Sequence, residues 1–574
     1  MRPIFGRNRD GDAVIIFCLA AILVLCGMWW GLPGEQVKRL AFGSDANVQQ
    51  VVSRISGEVV QNSWEISKAE NDPRKLSRDV FNSIRSFHPD EQTTLKSISN
   101  MRPAAGDFNP RFFLYPTFYF YLVAATLAVG KITGLLKITS DISFYFFHPG
   151  EMGKLYLAAR LVTGLFSVLG IVLVYRIGRR MISRRAGILA ATILAVTPLY
   201  LVNSHFATTD ITMVFFVILT LYFCSLFWEK GGYGWIYAAS AAAGLAASTK
   251  YPGVAVWLLI PGALLLRRTV SWKMFVLIVV TGFLVMTGAF VAGSPYAVLA
   301  FPEFKKDFLL VIGWMEVGAV RHFSPGVLAA NVWNSFLTGF TGTLTMTFGA
   351  GILLYGVRHP KDRTWLLLFW GLLAVLLPYV TSVHFKYTRY FLPLTPFLAL
   401  LTAYAADEMF RIVKRPAVVI PIVIFCLLLL PACLKSLAYD KLMMASDVRL
   451  TAARHINNNV PSGCTIAVIK DPWIFETPPV NPFRYRVNVL RGEDQLSSVK
   501  KGGYLLIGEL QYFLTQGSRR QIETALMQRV EANGFDPVTV VRSGPEMFGI
   551  RFDTDRMMHD MLYTHPAIYL FRKR

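Results

Sequence analysis

The sequence predicts an α-helical polytopic membrane protein that ends in a small α/β domain. Three observations carry this. Only 16% of the residues are charged while 54% are hydrophobic, against about 25% charged in soluble domains. Runs such as AVIIFCLAAILVLCGMWWGL, LYLAARLVTGLFSVLGIVLVY and VVIPIVIFCLLLLPACL are each long enough for roughly 30 Å of hydrocarbon. From residue 437 onward the long runs stop, and short alternating segments replace them.

The first run, 13–32, lacks a small-residue cleavage site and is too long for a signal peptide, so it reads as a retained span. The remaining spans follow from charge. The basic clusters are RRMISRR (179–185), Arg267, Arg268 and Lys273 around TVSW, VRHPKDR (357–363) and RIVKR (411–415). All of them face the cytoplasm if 13–32 runs outward and 33–154 forms one long outer loop. Crossings then fall at 155–175, 187–204, 211–228, 235–249, 251–267, 274–293, 333–356, 364–382, 391–410 and 417–436. That gives about eleven spans with the N-terminus in the cytoplasm.

The aromatic stretch 112–133 is excluded from this count, because a full crossing there would put nearly every basic cluster outside. It is expected as an in-plane or re-entrant helix, and its Phe and Tyr content suits an interface. The chain thus divides into a membrane domain, 1–436, and an external α/β domain, 437–574. In the latter, CTIAVIK, GGYLLIGEL and DPVTVVRS read as strands, RRQIETALMQRVEANG as a helix and PPVNPF as a loop.

Composition excludes several functions. The net charge of +22 sits in short clusters between apolar runs, as orientation signals do, so it does not indicate nucleic-acid binding. Cysteines 18, 26, 224, 426 and 433 lie in apolar spans and only Cys464 in a polar region. Neither a disulfide framework nor a cysteine metal site is expected.

The same topology sorts the polar candidates by side. His88, Asp90 and Glu91 in SFHPDEQ are outside, as are Asp210 with His205 just before it, Lys250 in ASTKYPG, and His384, Lys386 and Arg389 in VHFKYTRYFLPL. Acid and basic groups from four loops share one face. Adjacent carboxylates can serve as general base and as ligands for a hard cation. Lys and Arg at the membrane surface can neutralise a lipid phosphate. Each residue alone also has a structural reading: a solvated face or helix cap for Asp90 and Glu91, a helix N-terminal acid for Asp210, a snorkelling Lys250, an aromatic-belt anchor at Arg389, and capped surface histidines.

In order, the chain shows HPDE, GDFNPRFFLYPTFYFYL, ARLVTGLFSVLGIVLVYRIGRRM, AGILAATILAVTPLYLVNSHFATTDITMVFF, GLAASTKYPG and YTRYFLPLTPFLALL. This series resembles the C-type glycosyltransferases. Within them it is most similar to the branch holding the dolichyl-phosphate-mannose protein mannosyltransferases and the lipid A aminoarabinose transferase. The resemblance spans roughly residues 13–440 in order, and the tail is similar to the variable soluble domain of bacterial members. It implies a C-type membrane fold and an enzyme of the bacterial inner membrane. The reaction implied is transfer of a sugar from a polyprenyl-phosphate carrier to a lipid, glycan or protein acceptor on the periplasmic side, with inversion.

The resemblance makes Asp90 the general base and gives Glu91 a part in shaping the site or holding a cation. Asp210 becomes the second acidic position, and Lys250, Arg389 and Lys386 the contacts to the carrier phosphate. A divalent cation (Mg, Mn or Zn) is the one cofactor it allows, with Glu91, His322 and His88 as ligands. The first outer loop departs from the family core by its length, with KAENDPRKLSRD reading as an inserted helical segment. Two alternatives use the same residues differently: a ligase or polymerase moving a whole glycan from the carrier, and a lipid or solute transporter. A transporter calls for ionisable groups at mid-span, and the spans here are nearly charge-free at their centres.

Overall fold

A computed structural model describes residues 11–55, 78–267, 270–319, 325–380, 387–412, 419–469, 473–512, 518–553 and 555–574. The chain forms two compact units, each built from separate stretches of sequence. One comprises residues 1–26, 109–122 and 161–437, and the other 27–108, 123–160 and 438–574.

The first unit is helical. Among the described residues of the whole chain, four helices are long and apolar enough to cross a membrane: Pro149–Met181, Thr209–Lys230, Trp272–Gly293 and Val419–Met444. Two bent pairs raise this to six. These helices make the chain a multi-pass membrane protein. The expected span 187–204 is one of the bent pairs. Arg184–Ala195 and Pro198–Ser204 meet at 63°, because Pro198 lacks an N–H and Thr197 before it is extended, with φ −72° and ψ 116°.

The expected span 333–356 is the second bent pair. Val332–Phe340 and Gly342–Arg358 are bent by 112° around Thr341, which has φ +82°. A threonine rarely adopts that region. Here its hydroxyl caps the new helix by accepting from the Leu344 N–H. Lys435, itself buried, donates to the Leu337 and Thr338 carbonyls at the end of the preceding helix. Helix ends leave such carbonyls without partners, and a cation satisfies them well.

The aromatic stretch forms a helix only from Phe118 to Ile132. At 1.5 Å per residue its 15 residues reach about 22 Å, less than the roughly 30 Å of a bilayer core. The residues before it, 109–117, are not helical, because Pro110 and Pro116 interrupt them. Hydrogen bonds from helices far away in sequence hold this stretch. The Phe113 N–H donates to Asp307 Oδ2 (2.8 Å), the Tyr251 hydroxyl donates to the Phe113 carbonyl (2.6 Å), and the Thr117 N–H donates to Ser294 Oγ (3.0 Å).

The second unit contains a five-stranded sheet. Its strands are β1 Thr465–Ile469, β2 Arg486–Leu490, β3 Tyr504–Gly508, β4 Phe535–Val541 and, after the short hairpin β5 Glu546–Met547 and β6 Ile550–Arg551, β7 Ile568–Lys573. The order is β2-β1-β3-β7-β4, with β1 parallel to both β2 and β3, and β7 antiparallel to β3 and β4. Period-2 alternation sends opposite faces of the sheet to opposite cores. Val448, Ala452 and Ile456 of helix Val448–Asn459 pack with Ile466, Val468 and Leu506 on one side. Leu526 and Val530 of helix Arg519–Ala532 pack with Ala467, Leu505 and Ile507 on the other. The three strands and the helix expected in this tail are those observed.

Residues 27–108 belong to this same unit, with helices Glu35–Phe42, Asp45–Ile55 and Pro89–Ser99. Helix Glu35–Phe42 packs against Val448–Asn459.

Candidate functional site

The stretch SFHPDEQ is the start of a helix. His88 is extended at the N-cap, and its Nδ1 accepts from the Asp90 N–H at 3.3 Å. Pro89 takes the first helical position, where a missing N–H costs nothing. Asp90 and Glu91 therefore lie in the first turn, where the helix dipole favours negative charge. The two side chains differ in surroundings. Asp90 keeps partial exposure and Glu91 is fully enclosed.

Arg160, also fully buried, clamps Glu91 with both arms: Nε to Oε1 at 2.7 Å and Nη2 to Oε2 at 2.8 Å. The Ser86 hydroxyl adds a third bond to Oε2 at 2.6 Å. Arg160 Nη1 donates to the Met28 and Trp30 carbonyls, each at 2.7 Å. Burial pushes the Glu91 carboxyl upward, but the Arg160 charge and hydrogen bonds, with smaller help from His88 and Ser86, outweigh it and hold it below the usual range. Glu91 thus points into a filled ionic clamp.

A second cluster lies in the helical unit. Lys250 terminates helix Gly234–Thr249 in an extended conformation, φ −154° and ψ 132°, and a 3₁₀ helix Tyr251–Leu258 follows. The sharp turn needs Gly253, because a Cβ there would meet the Ala246 carbonyl oxygen at 2.5 Å. The turn directs the Lys250 ammonium to Asp210 Oδ1 at 2.5 Å. Asp210 sits in the first turn of Thr209–Lys230 and is buried, as is Lys250. The ammonium also lies 5.5 Å from the Tyr390 ring centre and 5.8 Å from that of Tyr115. Arg389, the neighbour of Tyr390, is buried with its guanidinium 4.7 Å from the Tyr387 ring centre. The structure therefore brings Asp210, Lys250 and the Arg389–Tyr390 segment together in one unit.

The remaining candidates divide between the described residues and the rest. Lys386, His384 and His322 lie outside the described residues. His205 is buried with Nδ1 2.8 Å from the Leu201 carbonyl and Nε2 2.7 Å from the Cys26 carbonyl, so both ring nitrogens face protein acceptors. Among the described residues no group of three or more His, Cys, Asp or Glu side chains is arranged to hold a metal ion. Of the ligands expected, Glu91 is occupied by Arg160 and Ser86, and His88 by its cap and by the edge of Tyr563, 5.2 Å between ring centres. The described donor set does not fit a divalent cation.

Sequence reasoning did not single out Arg160 or Asp307. For Arg160 a signal exists: it is an arginine inside the long apolar run LYLAARLVTGLFSVLG, where an ionisable group calls for a partner.

Residues 151–298 match the family model described as dolichyl-phosphate-mannose-protein mannosyltransferase. The match covers about a quarter of the chain. Arg160, Asp210 and Lys250 fall inside the matched segment, whereas Asp90, Glu91 and Arg389 fall outside it. No curated protein sequence matches the chain.

Among solved structures, one that is similar is the Archaeoglobus fulgidus oligosaccharyltransferase in complex with Zn and sulfate, at 16% identity and a TM-score of 0.45 over 82% of this chain. The chain spans 62% of that protein's length. Another is ArnT from Cupriavidus metallidurans bound to undecaprenyl phosphate, at 14% identity and a TM-score of 0.46, with 98% of each chain covered. A third is the S. cerevisiae protein O-mannosyltransferase Pmt1-Pmt2 complex bound to the sugar donor, at 17% identity and a TM-score of 0.29 over 43% of this chain and 36% of that one.

Proposed function

We propose that this chain is a glycosyltransferase that moves a sugar from a polyprenyl-phosphate carrier to an acceptor hydroxyl on the periplasmic face of a bacterial inner membrane, with inversion at the anomeric carbon. Asp90 is the general base. It takes the proton of the acceptor hydroxyl as the oxygen attacks the sugar's anomeric carbon, and the bond to the carrier phosphate breaks with its electrons leaving on the phosphate. Lys250 and Arg389 hold that phosphate as charge develops on it. Glu91 shapes the site through the Arg160 clamp, and no step runs through a metal.

The observation that carries this reading is the Asp210–Lys250 pair inside the family-matched segment. An ammonium has three donors, and among the described residues this one gives a single hydrogen bond, to Asp210. It is thus a buried cation with donors left for an anion. The partial exposure of Asp90 beside an enclosed Glu91 supports the choice of base.

The test is mass spectrometry of cell-envelope glycans and lipids from a strain lacking this chain. One sugar missing from one acceptor is the expected outcome and names both. An envelope identical to the parent's would remove the proposal.

A further inference from the structure

Among the described residues, the two bulkiest fully buried side chains are both arginines, Arg160 and Arg449, and both act on the same short piece of chain. Arg160 holds it from the side of helix Pro149–Met181. Arg449 comes from the first turn of helix Val448–Asn459 in the C-terminal part of the same unit. Its charge is balanced by Asp447, with Nε to Oδ1 at 2.8 Å and Nη2 to Oδ2 at 2.7 Å. Its other donors go to the Phe475 and Tyr563 carbonyls, each at 2.8 Å. One face of the guanidinium environment is the Phe87 ring, 4.5 Å to its centre, and another is Trp30 at 5.3 Å.

The segments that Arg449 ties together are those that reach the SFHPDEQ turn. Tyr563 sets its ring edge-on to His88. Next to Phe475, the Ile474 N–H donates to Asn82 Oδ1 at 3.1 Å, and the Trp473 indole N–H donates to Gln92 Oε1 at 3.2 Å. The turn is thus held at Asn82, Phe87, His88 and Gln92 by three separated stretches of the C-terminal domain, and Arg449 is the node joining them. It does not belong to either hydrophobic core of the sheet, which its neighbours Val448, Ala452 and Ile456 help to build. Burying an ion pair gains little stability over an apolar substitute. What it supplies is a fixed fork geometry, which Lys does not reproduce.

We infer that Arg449 is a positioning residue for the transfer reaction, through which the C-terminal domain fixes the turn that carries Asp90. The inference rests on the proposed role of Asp90 and goes beyond it, giving the C-terminal domain a part in turnover.

The test uses the full-length protein and three variants, Arg449→Met, Arg449→Lys and Phe87→Leu. Amide exchange of residues 82–92 is compared with that of β1 and β3, alongside undecaprenyl phosphate binding and restoration of the missing envelope sugar in the deletion strain. In Arg449→Met, exchange over 82–92 should rise about tenfold or more while β1 and β3 stay protected. Sugar transfer should fall by roughly 10²-fold, the scale of a misplaced catalytic group, with carrier affinity unchanged. Arg449→Lys should not restore either readout. A merely structural arginine would lose strand protection and carrier binding together.

Wild-type transfer and unchanged 82–92 exchange in Arg449→Met would overturn the inference. Should that variant lose its strands, Phe87→Leu decides, since it leaves the Arg449–Asp447 pair whole: raised exchange over 82–92 with weakened transfer supports it, and no change in either overturns it. Full transfer by Asp90→Asn would instead remove the general base, and the exchange results would still report on Arg449.

Discussion

Two buried carboxylate–cation pairs, one in each unit, look alike in sequence terms and differ in what they leave unused. In Glu91–Arg160 every charged atom described is spoken for: three donors reach the carboxylate and the remaining arginine arm reaches two carbonyls. In Asp210–Lys250 a point charge meets one carboxylate oxygen between two tyrosine rings. A saturated fork holds chain segments in register, whereas an ammonium with spare donors can accept an incoming phosphate. On the proposed reading, burial and charge alone do not mark the carrier site; hydrogen-bonding capacity left unused among the described residues does.

The comparison can be broken most sharply by removing one cation from each pair. Arg160→Met strands the enclosed Glu91 carboxylate and should destabilise the protein by about 3–5 kcal/mol, the usual result of breaking a buried pair. Its unfolding midpoint in detergent measures this, and a midpoint near the parent's would mean the clamp is not structural. Lys250→Met should show its main effect elsewhere. Undecaprenyl phosphate binding should weaken by roughly 10- to 100-fold, the loss of one charge-assisted hydrogen bond. Unchanged carrier affinity in this variant would erase the distinction between the pairs.

A smaller effect comes from replacing both partners of the clamp. Glu91→Met with Arg160→Met should recover most of the stability that the single substitution loses, because no unpaired charge remains. The smallest is the response to acid. The Glu91 carboxyl is held below its ordinary value in the folded protein, so the stability it adds is present above the unfolded value of about 4.3 and is lost as pH falls through the folded one. Midpoints measured between about pH 3 and 5 should therefore drop less in Glu91→Gln than in the parent.

Much of the architecture was legible because periodicity and proline report it directly. The C-terminal strands stand out by alternation, whereas the break before Pro198, inside the single span expected over 187–204, was missed although the absent N–H signals it. The bend at Thr341 was not legible, since no glycine or proline occupies the turning position and a lysine nearly a hundred residues away, Lys435, completes the helix end. In the site, Asp210 and Lys250 were visible as polar residues at span ends, but their pairing depends on a turn set by Gly253. Nothing in the local sequence separates Glu91 from Asp90 beside it; the family resemblance alone gave them different roles. The difference comes from Arg160, 69 positions away, and tertiary partners at that separation leave no local trace. Arg449 is a still plainer case, as it sits in a helix whose sequence reads as an ordinary soluble one.

The most direct test of the account substitutes Asp90 in the deletion strain and follows, by mass spectrometry, the sugar that the parent chain restores. Asp90→Asn should restore about 10²- to 10⁴-fold less of it, the contribution of a general base, while the purified variant still binds undecaprenyl phosphate. Full restoration of the envelope sugar by Asp90→Asn would contradict the central claim.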